Sequence, residues 1–336
     1  VIPERFNRLL GAPRRRPADR DDRRAGIAPA GDEIAVAWAG GERLPALVAE
    51  RAPTATRLSG DQPARRLGEG LDFEQLRAYQ AGEPAARIDW RISARTEKPM
   101  VRVHREPAQR QVHLVIDASA AMRFGTRRRL KLSQALLVAH ALAAAALRQN
   151  LAVEIHPVGE AFPAGLRAPG PVTGQAAILQ RLAEVADAAG GTPGVEQAVD
   201  WPALRERLGR RLPAGSLVVV LSDCLSDTGP GPAIDWVPLA AEQHLLFVSI
   251  ADRVELDMPD LGPAAFQAGT RTRWLDTGDR RWREAFAAGQ RQRLHTWGES
   301  AQGLGATFLP LAADTEPSDW LATVSAVLSG GAEVTS

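Results

Sequence analysis

Five short apolar runs, each continuous and each separated from the next by helix-forming stretches, constrain this chain more than any other feature. They are QVHLVID (111–117), LAVEIHP (151–157), SLVVVLSDC (216–224), HLLFVSIAD (244–252) and GATFLPL (305–311). QVHLVID, short, apolar and rich in β-branched residues, reads as a strand covered on both faces, and SLVVVLSDC is the plainest core strand. The intervening segments 130–149, 174–188, 195–209, 236–243, 280–302 and 318–328 have the length and spacing of helices, and AFQAG followed by TRTRWLD (265–276) reads as a hairpin. Strands alternating with helices predict an α/β architecture, a mostly parallel sheet with helices on both faces. In such a sheet ligands bind beyond the carboxyl ends of the strands, near a topological switch point.

The rest of the sequence excludes several classes. One cysteine among 336 residues leaves no disulfide framework and no cysteine-built zinc or iron–sulfur site. The six histidines show no H-x-x-x-H pairing. The most apolar stretch, 135–147, contains His140 and falls short of the ~20 residues a spanning helix needs. No secretory signal is legible, and a cytoplasmic protein is expected. The net charge of +1 conceals a division: residues 1–111 hold 21 basic and 16 acidic side chains, residues 112–336 hold 20 and 24. Three parts are therefore expected: a flexible basic arm (1–33), an N-terminal segment (34–111) with a short amphipathic helix at 42–52, and the α/β domain (112–330).

Two strand ends carry oxygen-bearing side chains. The first run closes on Asp117-Ala118-Ser119-Ala120-Ala121, and the third on Ser222-Asp223-Cys224. Between them lies Gly190-Gly191-Thr192-Pro193-Gly194, a loop beside a helix. Two carboxylates, a serine and a threonine at neighbouring strand ends make a hard-oxygen set suited to Mg²⁺, which keeps several waters. An aspartate after a buried strand also serves simply to cap the next turn. Cys224, directly after Asp223, is expected to be a small buried residue and not a nucleophile.

The order D-x-S-x-S, a Gly-Gly-Thr loop and a later strand-end Asp resembles the metal-ion-dependent adhesion site of von Willebrand factor A-type domains. Upstream, Arg77-Ala78-Tyr79, Gly82-Glu83, Arg87-Ile88-Asp89-Trp90-Arg91 and Ala94-Arg95-Thr96 resemble the pattern of the domain of unknown function 58 (DUF58) family, and residues 251–259 (ADRVELDMP) echo a loop of that family. The resemblance implies a von Willebrand factor A-like, Rossmann-like fold and a non-enzymatic adaptor beside a MoxR-type AAA+ ATPase, acting on a client protein. It also implies Asp117, Ser119, Thr192 and Asp223 as metal-site residues. Ala121 stands where the second serine is expected, and a methyl cannot ligate. Mg²⁺ or Mn²⁺ is therefore expected to bind weakly or not at all, with Ala121→Ser expected to strengthen it.

Two other functions compete with the adaptor. A magnesium-dependent phosphohydrolase would use Asp117, but it wants a second acid where Ser119 stands and a lysine near the phosphate, and only Lys98 and Lys131 exist. Nucleic-acid binding through the basic third would use its arginines with Tyr79 and Trp90, against the 16 acidic residues among them. No Walker-type phosphate loop and no G-x-S-x-G elbow occur. The Ile-Asp-Trp segment reads as a core anchor. Arg87, Arg91 and Arg95 recur every four residues, so a helix places them on one face. With Trp90, Glu83 and Asp89 they are expected to form a partner-binding platform. No enzyme, nucleic-acid partner or integral membrane segment is expected.

Overall fold

A computed structural model of the chain describes residues 27–47, 75–79, 88, 90–96, 98–103, 110–159, 162, 172–190, 199–224, 229–268 and 271–329. Two compact units divide it: Thr54–Gln109 forms one, and Val1–Pro53 with Arg110–Ser336 forms the other. In the larger unit the first described element is helix α1 (Gly31–Gly41), which begins inside the segment expected to be a flexible arm. Its Glu33 carboxylate accepts from Arg129 at 2.6 Å, and its Ala37 and Trp38 are buried. A side chain at Gly41 would overlap the Ala141 carbonyl, so glycine is what lets this helix come close.

The smaller unit contributes strand β1 (Gln75–Ala78), helix α2 (Trp90–Thr96) and strand β2 (Met100–Val103), with β1 and β2 antiparallel. Trp90 is 67% exposed and is not the core anchor the sequence suggested.

The main sheet joins β3 (Gln111–Asp117), β4 (Ala152–Val158), β5 (Leu217–Ser222), β6 (His244–Ala251) and, after the antiparallel hairpin β7 (Pro263–Ala268) and β8 (Arg271–Asp276), β9 (Thr307–Ala312). Its spatial order is β4-β3-β5-β6-β9, and every neighbouring pair is parallel. Numbered within the sheet this is 2-1-3-4-5, with the switch point between β3 and β5. The central strands β3, β5 and β6 bury both faces because helices cover both. Leu114, Ile116, Val153 and Val219 pack in the core with α3 (Lys131–Arg148), α4 (Gln175–Ala189) and α9 (Pro317–Leu328). Val115, Val218, Val220 and Phe247 pack with Trp201, Leu204 and Leu208 of α5 (Trp201–Arg211), Leu239 of α6 (Val237–Ala240) and Ala301 of α8 (Arg280–Gly303). Every residue of α3 from Lys131 to Ala146 is buried, as befits an Ala/Leu helix covered on all sides. The result is a von Willebrand factor A-like, Rossmann-like α/β fold.

The helix expected at 42–52 is not formed by its described part. Residues 42–47 leave α1 as a turn and extended chain, Pro45 supplies no N–H, and the Leu44 and Pro45 carbonyls are taken by Arg148 at 2.6 Å and Gln149 at 3.1 Å. Leu44 and Leu47 are buried all the same, so their spacing marked burial without marking a helix.

Candidate functional site

Asp117 and Asp223 stand at the carboxyl ends of β3 and β5, on the two sides of the switch point. Asp117 is buried. Its Oδ1 accepts from the Ser119 backbone N–H at 2.9 Å, and its Oδ2 accepts from the Ser222 hydroxyl at 2.5 Å. Burial pushes its pKa above the ordinary carboxylate range against the lowering pull of these hydrogen bonds, and the nearby Asp223 pushes the same way. The backbone here is held close to β4: Ala118 N–H donates to the Val158 carbonyl at 2.7 Å. Gly159, at φ +133°, brings its backbone against Ala118 and Ser119 where a Cβ would collide.

Lys131 decides the chemistry of this edge. The first residue of α3, it is wholly out of solvent, and its Nζ donates to Asp223 Oδ2 at 2.7 Å and to Glu255 Oε1 and Oε2 at 2.7 and 3.0 Å. Burial alone would lower its pKa, but Asp223 and Glu255 outweigh burial and hold it above the usual lysine range. Glu255 belongs to α7 (Arg253–Leu256), whose N-cap is Asp252. Burial raises the Glu255 pKa, Lys131 pulls it back, and Asp223 adds to the rise. Asp252 in turn accepts from the Thr126 backbone N–H at 2.8 Å and hydroxyl at 2.5 Å. Loops after β3, β5 and β6 are thus tied together through one ammonium and its carboxylates.

The sequence-predicted set meets this arrangement unevenly. Asp117, Ser119 and Asp223 are brought to one edge. Thr192 lies outside the described residues. The Ser119 hydroxyl is buried without a formed hydrogen bond, although it sits near enough to favour the Asp117 carboxylate. Ala121 lies on the one-turn 3₁₀ helix Ala120–Arg123 that follows. The described donors do not fit a divalent ion: both Asp117 oxygens are engaged, Asp223 holds an ammonium, position 121 offers a methyl, and Ser119 Oγ alone is free. Mg²⁺ wants near-octahedral oxygen. A second cation beside a buried ammonium would also meet repulsion that the low local dielectric strengthens. Cys224 is buried, and burial, together with Asp223, pushes its thiol far up, which removes it as a nucleophile.

On the expected partner-binding platform, Arg91 and Arg95 are exposed on α2 beside the exposed Trp90. Glu83, Arg87 and Asp89 lie outside the described residues.

A second cluster escaped the sequence reading. His113 of β3 pairs in register with Glu154 of β4, and His156 lies two residues further along β4, on the same face. Their ligand atoms fall within 4.8 Å of one another and could hold a divalent metal. His113 Nδ1 is 3.1 Å from His156 Nε2 and 3.4 Å from Glu154 Oε2, which is 3.9 Å from His156 Nε2. Burial lowers the His156 pKa to about 4, so that imidazole is neutral near pH 7. Burial opposes the Glu154 carboxylate, but the His113 hydrogen bond and the electrostatic pull of the two neighbouring imidazoles and Arg211 bring its pKa below the ordinary value. H-x-x-x-H is the spacing of two ligands on one helix face. The signal present was E-x-H, the i, i+2 spacing of one strand face.

The model of the family described as protein of unknown function DUF58 matches residues 75–296. This chain belongs to the DUF58 family. Two mycobacterial relatives, the uncharacterized proteins Rv1480 of Mycobacterium tuberculosis and Mb1516 of Mycobacterium bovis, are each 30% identical to it over 275 residues, 80% of this chain and 81% of theirs. Among solved structures, an aerotolerance-related membrane protein from Bacteroides fragilis aligns over 66% of this DUF58 chain and 99% of its own, with a TM-score of 0.39 and 13% identity. BatB from Bacteroides thetaiotaomicron aligns over 66% and 98%, with a TM-score of 0.38 and 13% identity. Among the described residues of the DUF58 chain, no helix is long and apolar enough to cross a membrane.

Proposed function

We propose that the protein is a non-enzymatic interaction module, an adaptor for a MoxR-type AAA+ ATPase and its client, acting in the cytoplasm. Its carboxyl edge is held together by Lys131 in place of a divalent ion. The observation that carries this reading is the Lys131–Asp223–Glu255 cluster. In A-type domains the resemblance implies a metal with an open coordination position for a partner's carboxylate. A buried ammonium, bonded to three carboxylate oxygens, gives the loops cohesion and offers no open position. Recognition then falls to what surrounds the edge.

The hairpin β7–β8 is suited to that task. It leaves the carboxyl end of β6 through α7 and returns to α8, so it stands on the same side of the sheet as Asp117 and Asp223. Trp274 on β8 is 73% exposed. A tryptophan left in water on a short ribbon contributes little to folding, and tryptophans are enriched among the residues that dominate interfaces. A phosphohydrolase would need Lys131 presented to a phosphate, whereas this ammonium is sealed from solvent.

The test is affinity capture from the native cell extract with and without ATP and Mg²⁺. Enrichment of an AAA+ ATPase by the parent and its loss in Trp274→Ala, at an unchanged melting temperature, supports the adaptor. A parent that enriches no AAA+ ATPase under either condition contradicts it.

A further inference from the structure

We propose that His113, Glu154 and His156 bind a divalent transition-metal ion of the zinc class, at a site separate from the carboxyl edge. The three side chains sit on the face of β3 and β4 shared with Val115 and Val158. His113 is four residues before Asp117, a run of about 13 Å along the strand. Neither site shares a ligand with the other.

Geometry carries the proposal. A circle through three atoms separated by 3.1, 3.4 and 3.9 Å has a radius of about 2.0 Å, the length of a zinc–imidazole or zinc–carboxylate bond. A single point can therefore lie at bonding distance from His113 Nδ1, His156 Nε2 and Glu154 Oε2 without moving a strand. The ligand types select the metal. Two imidazoles and one carboxylate suit Zn²⁺ and its first-row neighbours, whereas Mg²⁺ and Ca²⁺ prefer oxygen throughout. Three protein ligands leave at least one coordination position over. The Glu154 side chain, 15% exposed where His113 is 1%, marks the side from which an ion and a further ligand would enter.

The fold itself does not ask for these residues. Position 113 lies in a strand whose other core positions are Val112, Leu114, Val115 and Ile116, all fully buried. An imidazole there leaves Nε2 buried with no hydrogen-bond partner. Such an orphan carries a desolvation penalty that a valine would not. Metal ligation by the opposite nitrogen supplies the compensating energy.

The experiment uses the full chain, stripped with chelator and dialysed, and titrated with Zn²⁺ by calorimetry and with Co²⁺ by visible absorption. The proposal expects one equivalent of Zn²⁺ per chain, ligand-field bands on Co²⁺ addition, and a higher melting temperature with metal. Glu154→Gln, at a partly exposed position, should melt like the metal-free parent and bind Zn²⁺ at least about tenfold more weakly. His156→Gln should lose the cobalt bands, and Asp117→Asn should keep both the stoichiometry and the bands. Absence of saturable Zn²⁺ binding by the parent overturns the proposal. So does binding of equal strength in Glu154→Gln, or loss of the equivalent in Asp117→Asn. The adaptor reading stands or falls separately, since it rests on Lys131 and Trp274.

Discussion

Lys131 Nζ donates to Asp223 Oδ2 at 2.7 Å, with the lysine side chain wholly shielded from water. On the proposed reading, this covalently attached cation serves the carboxyl edge where an A-type domain would hold a metal ion. Its charge is single where a divalent ion's would be double. Two carboxylates share it; burial raises the Glu255 pKa, Lys131 pulls it back, and Asp223 adds to the rise.

Replacing Lys131 with Met keeps the apolar stem and removes the charge. Asp223 and Glu255 then lose the cation they share, and breaking a buried ion pair from one side typically costs about 3–5 kcal/mol. Urea denaturation near pH 7 should show a loss of that size. The deficit should shrink as the medium is acidified, because the Glu255 carboxyl, its pKa raised by burial even beside Lys131, takes up a proton there. A deficit independent of pH would mean lost packing instead. In the parent the sign is opposite: Lys131 has a raised folded pKa, so its contribution is complete below the ordinary value of 10.5 and fades as pH rises through the folded value.

His140 supplies an acid-side prediction. It lies in α3 with its ring 6.4 Å from that of Trp38 in α1, and burial lowers its pKa to about 4 from an ordinary 6.5. The neutral ring costs nothing above 6.5, and stability is lost as pH falls from there toward 4, because the unfolded chain binds the proton more tightly. The parent should lose about 2 kcal/mol from this group between pH 7 and pH 5. His140→Leu should flatten that part of the profile by a similar amount. At neutral pH it should be close to neutral in stability, since Nδ1 has no hydrogen bond to forfeit. Denaturant melts of both chains at the two pH values check it.

Exposure on α2 separates binding from folding. Trp90 and Arg95 are both exposed, so Trp90→Ala and Arg95→Ala should each leave stability within about 0.5 kcal/mol of the parent. If the helix is part of the partner-binding platform, each should weaken ATPase capture in pull-down. Full capture by both variants would remove α2 from the interface.

The frame of the fold was legible because its signal is local and strong. QVHLVID and SLVVVLSDC are apolar throughout, and they form β3 and β5 at the centre of the sheet, within a residue or two of the expected ends. The helices over 130–149 and 280–302 were equally plain in length and composition. Long-range features were harder. Residues 42–47 showed helical spacing, but Pro45 and the Arg148 and Gln149 side chains impose an extended path that only the folded neighbours reveal. Trp90 looked like an anchor because an isolated indole in a sequence carries no record of how much core its unit can offer.

The site divides in the same way. Asp117 and Asp223 followed from strand ends and the switch-point rule. Lys131 did not, because thirteen residues of loop, turn and 3₁₀ helix separate it from Asp117, and its partners Asp223 and Glu255 come from segments after two other strands. His113 and His156 lie 43 positions apart and meet only through the parallel register of β3 and β4. An E-x-H pair in one predicted strand, read beside a histidine in its neighbour, would have raised the cluster as a candidate.

The most direct test of the central claim, that Lys131 takes the cation's place at the carboxyl edge, is a calorimetric titration of Ala121→Ser with Mg²⁺, run beside the parent. The account predicts no saturable heat from either chain at millimolar Mg²⁺, because restoring the serine leaves the ammonium on Asp223. Saturable binding in Ala121→Ser that Asp117→Ala abolishes would contradict it and return the edge to a metal site.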